Sequence, residues 1–104
     1  MTQVLEHRIG STWLITATID VDSMDGVVVD FVLVRRGEQV LTRTSGTGIT
    51  VTDAPNKQVL ITVPPATQTS ADVVAGLHEW RLTSTKSGDI VDQSTGLLYA
   101  KEAP

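Results

Sequence analysis

Apolar and polar residues alternate with a period of two along most of this chain. Between Thr12 and Val21, Trp13, Ile15, Ala17, Ile19 and Val21 fall on one face, with Thr16, Thr18 and Asp20 on the other. Successive strand side chains point to opposite sides of a sheet, so this spacing predicts a half-buried strand. Gln3 to Ile9 predicts an earlier strand, stopped at Gly10. Ser23-Met24-Asp25-Gly26 predicts a turn, because Asp-Gly tolerates positive φ.

Val27 to Arg35 differs from the other strands. Val27, Val29, Phe31 and Leu33 share one face, and Val28, Val32 and Val34 share the other, interrupted by Asp30. A strand apolar on both sides is either central in a packed sheet or part of a contact between subunits. Arg36-Gly37-Glu38 then turns the chain into a strand over Gln39 to Thr44, and Ser45-Gly46-Thr47-Gly48 turns it again. Ile49 to Thr52 and Gln58 to Val63 are further strands, the second ended by Pro64-Pro65. Proline cannot donate to a ladder, so the sheet stops there.

Thr69 to Ala75 is the one helical candidate, with Thr69 or Ser70 as its cap and Gly76 as its stop. Leu77 to Thr83 resumes the β pattern, with His78, Trp80 and Leu82 on one face. Lys86-Ser87-Gly88-Asp89 predicts a hairpin turn, and Ile90 to Tyr99 the closing strand, before a short tail from Lys101 to Pro104. The pattern predicts one all-β domain over residues 1–104. Its expected form is an Ig-like antiparallel β-sandwich of 7–8 strands with one short helical turn near residues 69–75. The expected core is Trp13, Ile15, Ile19, Phe31, Leu33, Ile61, Trp80 and Leu82.

Composition agrees. Val, Ile and Thr number 14, 6 and 15 of 104 residues, and branching at Cβ suits a pleated surface. There is no cysteine, which excludes disulfides, thiolate metal sites and a cysteine nucleophile. The net charge is −4, and the eight Lys and Arg are dispersed apart from Arg35-Arg36, so nucleic acid is not an expected partner. No apolar run approaches the roughly 20 residues of a membrane span, and no membrane partner is expected. Glu6, His7 and Arg8 stand where a signal peptide carries its apolar region, so export by that route is not expected.

Candidate chemistry is sparse. Asp20, Asp22 and Asp25 before Gly26 form an acidic cluster, but their spacing is not that of a calcium-binding helix–loop–helix motif and reads as a solvated turn. His7 and His78 are the only histidines, too few for a zinc site without cysteine. No serine sits in a G-x-S-x-G elbow, and Ser45-Gly46-Thr47-Gly48 lacks the lysine of a phosphate loop. Trp13 and Trp80 read as core anchors rather than a ligand platform. No catalytic residue, cofactor or metal is expected, and the chain is not expected to be an enzyme.

Four stretches carry a resemblance. Arg8-Ile9-Gly10-Ser11-Thr12-Trp13 opens an amphipathic strand, and Ile49-Thr50-Val51-Thr52-Asp53 precedes a loop and an apolar strand. Gly76 to Thr83 follows a Thr69-Ser70-Ala71 turn, and Gln93 to Tyr99 closes the chain with a Gly96-Leu97-Leu98 phrase. In order and spacing these resemble the small Ig-like β-sandwich structural proteins of tailed-bacteriophage virions. The resemblance implies a non-enzymatic head decoration, a neck or tail adaptor, or a baseplate accessory, located in the virion and assembled in the host cytoplasm. It implies partners too: further copies of the chain and a phage capsid or tail protein. Val28, Val32 and Val34 are the expected interface residues, provided a second sheet does not cover that face. The alternative is an Ig-like module that binds a carbohydrate or another ligand through an exposed tryptophan.

Overall fold

The computed structural model describes residues 4–102. It is nearly all β. Eight strands run in chain order: β1 (Val4–Arg8), β2 (Trp13–Thr18), β3 (Val27–Arg35), β4 (Glu38–Ser45), β5 (Gly48–Asp53), β6 (Gln58–Val63), β7 (Gly76–Lys86) and β8 (Asp89–Lys101), with helix α1 (Pro65–Ser70) between β6 and β7. Gln3 of the expected first strand and residues 103–104 of the expected tail lie outside the described residues. Lys101 is no tail residue: it ends β8, opposite Arg8 of β1.

The strands follow the order β1-β8-β7-β3-β4-β5-β6-β2. The link between β4 and β5 is slight, with only Thr44 opposite Gly48 and Ser45 opposite Ile49. There the sheet folds over. Five strands, β1-β8-β7-β3-β4, form one layer, and three, β5-β6-β2, form the other. Gly48 makes this corner possible. Its φ of +97° is strained for any other residue, and the Arg43 guanidinium fills the space a Cβ needs. Arg43 Nε donates to the Thr62 carbonyl at 3.0 Å, tying the corner to β6.

Pairing is antiparallel except at β1–β8 and β4–β5, which are parallel. Parallel β1–β8 departs from the all-antiparallel expectation. Nothing in a strand's own alternation fixes the direction of its partner when the two are 80 or more residues apart.

The core lies between the layers. Val29, Phe31 and Leu33 of β3, Leu82 of β7 and Leu98 of β8 meet Trp13 and Ile15 of β2 and Val59, Ile61 and Val63 of β6. Seven of the eight expected core residues are buried there; Trp80 is only half-buried.

The helix comes earlier than expected. Pro64, at φ −72° and ψ 160°, is its N-cap, a proline opens its first turn, and Asp72 ends the segment at φ +53°. The proline pair that stops β6 thus also starts α1: a fixed φ near −65° suits the first helical turn, where an N–H has no partner anyway. Thr69, the expected cap, sits in the last turn, and its Oγ1 donates back to the Pro65 carbonyl at 3.1 Å.

Candidate functional site

Two regions of the surface bear on the expected sites. The first is the outer face of the five-stranded layer. Because Val29, Phe31 and Leu33 enter the core, Val28, Asp30, Val32 and Val34 must lie on the opposite side of β3. The second layer does not cover that side. Val28 is 45% exposed and Val32 half-buried, while Val34, at 6%, is covered by its own chain. Of the three expected interface residues, then, two are open to a neighbour. Leu77 (53%) and Tyr99 (44%) form a second exposed apolar pair on the same side, opposite each other on β7 and β8 and separated from Val32 by Glu79 and Arg81. The sequence reading missed both, although their alternation with buried His78 and Leu98 marks them as outward. Two exposed ion pairs cross this face: Arg81 Nε to Glu79 Oε1 at 2.7 Å and Lys101 Nζ to Glu6 Oε2 at 3.2 Å. Exposed pairs of this kind add little stability, so they fix the face's polarity more than its fold.

The second region is the seam where the layers' free edges, β1 and β2, approach each other. One end is closed. The Arg8 carbonyl accepts from Trp13 Nε1 at 2.9 Å, from the Ser11 hydroxyl at 2.7 Å and from the Ser11 amide at 3.2 Å. His7 stacks on Trp13 with centroids 5.6 Å apart. Gln68 of α1, 1% exposed, completes the lock. Its Oε1 accepts from the Gly10 amide at 2.9 Å, and its Nε2 donates to the carbonyls of Ser11 (2.6 Å) and Val63 (3.1 Å). A glutamine in a polar Thr-Gln-Thr-Ser run gave no sign of this role. A side-chain amide can serve three backbone groups at once, but which three depends on the fold.

Beyond this lock the described residues leave a gap, as far as the bond from the Asp20 amide to Asp92 Oδ2. A cleft of about 500 Å³ lies between Thr16, Ala17 and Thr18 of β2 and Trp80, Ser94, Thr95 and Gly96 of the first layer, beside Leu5 of β1. Its floor is Ile15, Phe31, Ile61 and Leu82, and among the described residues no lining side chain is charged. Trp80 lies flat over Gly96, its cross-strand partner: a Cβ on Gly96 would stand 2.5 Å from the ring. Its Nε1 is buried with no acceptor among the described residues. The indole belongs to the inner face and packs against the core, but the described residues leave it only half-buried.

The remaining candidates resolve simply. Asp20, Asp22 and Asp25 belong to the loop between β2 and β3. The Asp20 amide donates to Asp92 Oδ2 at 3.1 Å, and the Ser23 hydroxyl accepts from the Asp25 amide at 3.2 Å. Among the described residues no three acidic or imidazole side chains converge. His78 is 2% exposed; its Nδ1 donates to the Gly76 carbonyl at 3.0 Å, which leaves Nε2 an acceptor with no partner among the described residues. Burial pulls its pKa below the ordinary value, the Arg35 cation adds to that, and the Gly76 carbonyl opposes it. Burial lowers His7 too. Both imidazoles therefore favour the neutral form.

No protein-family model matches the chain, and no curated protein matches it in sequence.

Proposed function

We propose that this chain is a non-enzymatic structural protein of a tailed-phage virion, docking through the outer face of its five-stranded layer on further copies of itself and on a capsid or tail protein. The observation that supports the assembly half of this reading is that Val28, Val32, Leu77 and Tyr99 stay open, wholly or in part, on a face that the second layer does not cover. The virion half rests on the resemblance of the four stretches from Arg8 to Tyr99.

Mass spectrometry of purified virions from a phage encoding the chain should find it in many copies; its absence from particles overturns the virion half. Val32→Asp tests the face. The side chain points away from the core, so the variant should stay folded and stop co-sedimenting with particles. Unchanged co-sedimentation places the contact elsewhere. The alternative, a carbohydrate-binding module, draws support from Trp80 at the cleft. A concentration-dependent shift of tryptophan emission with a soluble oligosaccharide is its test.

A further inference from the structure

The start of β7 is held on one side only. Its ladder with β8 begins at Gly76, opposite Ala100, but its ladder with β3 begins three residues later, where Glu79 stands opposite Val34. Up to that point no described strand flanks its β3 side. Two side chains hold the backbone there instead. Arg35 Nη1 donates to the Ala75 carbonyl at 3.2 Å, and His78 Nδ1 to the Gly76 carbonyl at 3.0 Å. The Arg35 guanidinium also lies against Gly76, 3.6 Å from where a Cβ would stand.

The segment leading into β7 is a short strap. Asp72, at φ +53°, and Gly76, at φ +132°, bound it, and the second conformation suits only glycine. The Asp72 and Val73 amides donate to the Thr69 and Gln68 carbonyls, each at 3.1 Å. Val73 is 9% exposed and packs in the core, whereas its neighbour Val74 is 49% exposed. Val73 is thus the strap's plug.

His78 is buried where a second positive charge has no counter-ion. Arg35 is the one charged group that acts on its imidazole. His7 of β1 shares a cross-strand row with Gly76 through Ala100. Arg36 and Glu38 of the β3–β4 turn and Asp72 of the strap line a groove with Arg35, and among the described residues none pairs with it. Glu79 and Glu6 are engaged on the outer face with Arg81 and Lys101. Helix α1 carries no charge, and β8 turns Leu98 and Ala100 inward. Among the described residues Nε2 has no partner, so a proton there makes a buried N–H without an acceptor.

We infer that residues 72–76 form an acid-released strap: a proton on His78 sets a second cation beside Arg35 and an unbonded N–H in the core, and the protein relieves both by lifting Val73 and the strap away from β3. The lifted form, its imidazole in water, takes up the proton that the closed form resists, so it gains population as pH falls below 6.5. The device does not rest on the virion reading, and either can fail without the other.

Native-state hydrogen exchange of the full chain, followed by NMR at several urea concentrations, tests it. After correction for the intrinsic pH dependence of exchange, the opening constant of the Val73 amide should rise about tenfold from pH 7.5 to pH 5. The rise should follow the His78 titration and depend little on urea, as a local opening does, whereas Ile61 should exchange with the urea dependence of global unfolding. His78→Gln keeps a polar side chain that takes no proton and should abolish the rise. If that variant does not fold, the match between the Val73 rise and the His78 titration in the native chain decides. Four results overturn the inference: a Val73 opening constant unchanged by pH; a rise that follows His7 instead; exchange of Val73 only by global unfolding, with the urea dependence of Ile61; and the same acid response in folded His78→Gln.

Discussion

Two tryptophans stand at opposite ends of one seam in contrasting states. Trp13 is wholly buried, its Nε1 bonded to the Arg8 carbonyl and its ring stacked on His7. Trp80 is half-buried, its Nε1 without an acceptor and its ring lying against a glycine over an open cleft. Both began as the same residue type on the apolar face of an alternating strand. The difference comes from what stands across from them. Trp13 starts β2, where a four-residue turn from β1 and a helix glutamine close the layers. Trp80 sits mid-strand in the wider layer, where the narrower one has ended. An indole needs both apolar cover and a partner for its N–H. The first end supplies both and the second end supplies neither in full.

This contrast can be broken by substitution. Trp13→Ala should cost about 3–5 kcal/mol, the loss expected for deleting a large buried aromatic. Trp80→Ala should cost clearly less, about 1–2 kcal/mol, since part of its area is exposed already. Equal losses measured by urea unfolding would put both rings in the same environment and remove the distinction. Gln68→Ala leaves the Gly10 amide and two carbonyls unpaired at the locked end, for a loss of about 1–3 kcal/mol.

Gly96→Ala sharpens the other side of the comparison. The added methyl meets the Trp80 ring, so the ring must swing toward the cleft, at about 1–2 kcal/mol from the overpacking range. Tryptophan emission should shift to the red. A blue shift or none means that Trp80 does not rest on Gly96.

The smallest effect is pH dependence. Above the ordinary imidazole value of 6.5 both folded and unfolded chains hold neutral His78 and His7. As pH falls below 6.5 the unfolded chain takes up protons that the folded chain resists, so stability declines until the folded imidazoles also titrate. The urea midpoint should therefore drop on acidification from about pH 8 to pH 5, and less so in His78→Phe. A midpoint that rises on acidification contradicts the buried placement.

Much of the fold was legible in the chain because strand alternation is a local signal. Thr12 to Val21 and Gln58 to Val63 placed their inward residues correctly, and the two-sided pattern of β3 left open a central strand or a subunit contact; the strand lies between β7 and β4. What eluded the sequence was non-local. The parallel β1–β8 pairing joins the chain's ends. The role of Gln68 depends on three backbone groups brought to it from other segments. The start of α1 was masked because Pro64-Pro65 reads equally as a stop for one element and a start for the next. The seam was invisible for the same reason: an open edge exists only once the widths of both layers are known. The outer face was partly legible, in Val28 and Val32, and partly not. Val34 shares their parity but is covered by its own chain, and Leu77 and Tyr99 meet only through the pairing of β7 with β8.

The most direct measurement of the contrast between the two ends is native-state hydrogen exchange along β2. Leu14 lies nearest the locked end, so the test rests on Thr16 and Thr18 against Ile15 and Ala17. The account predicts fast exchange at Thr16 and Thr18, whose amides face the open seam, and slow exchange at Ile15 and Ala17, whose amides bond to β6. Uniformly slow exchange at all four would contradict it, because the seam would then be closed along its whole length.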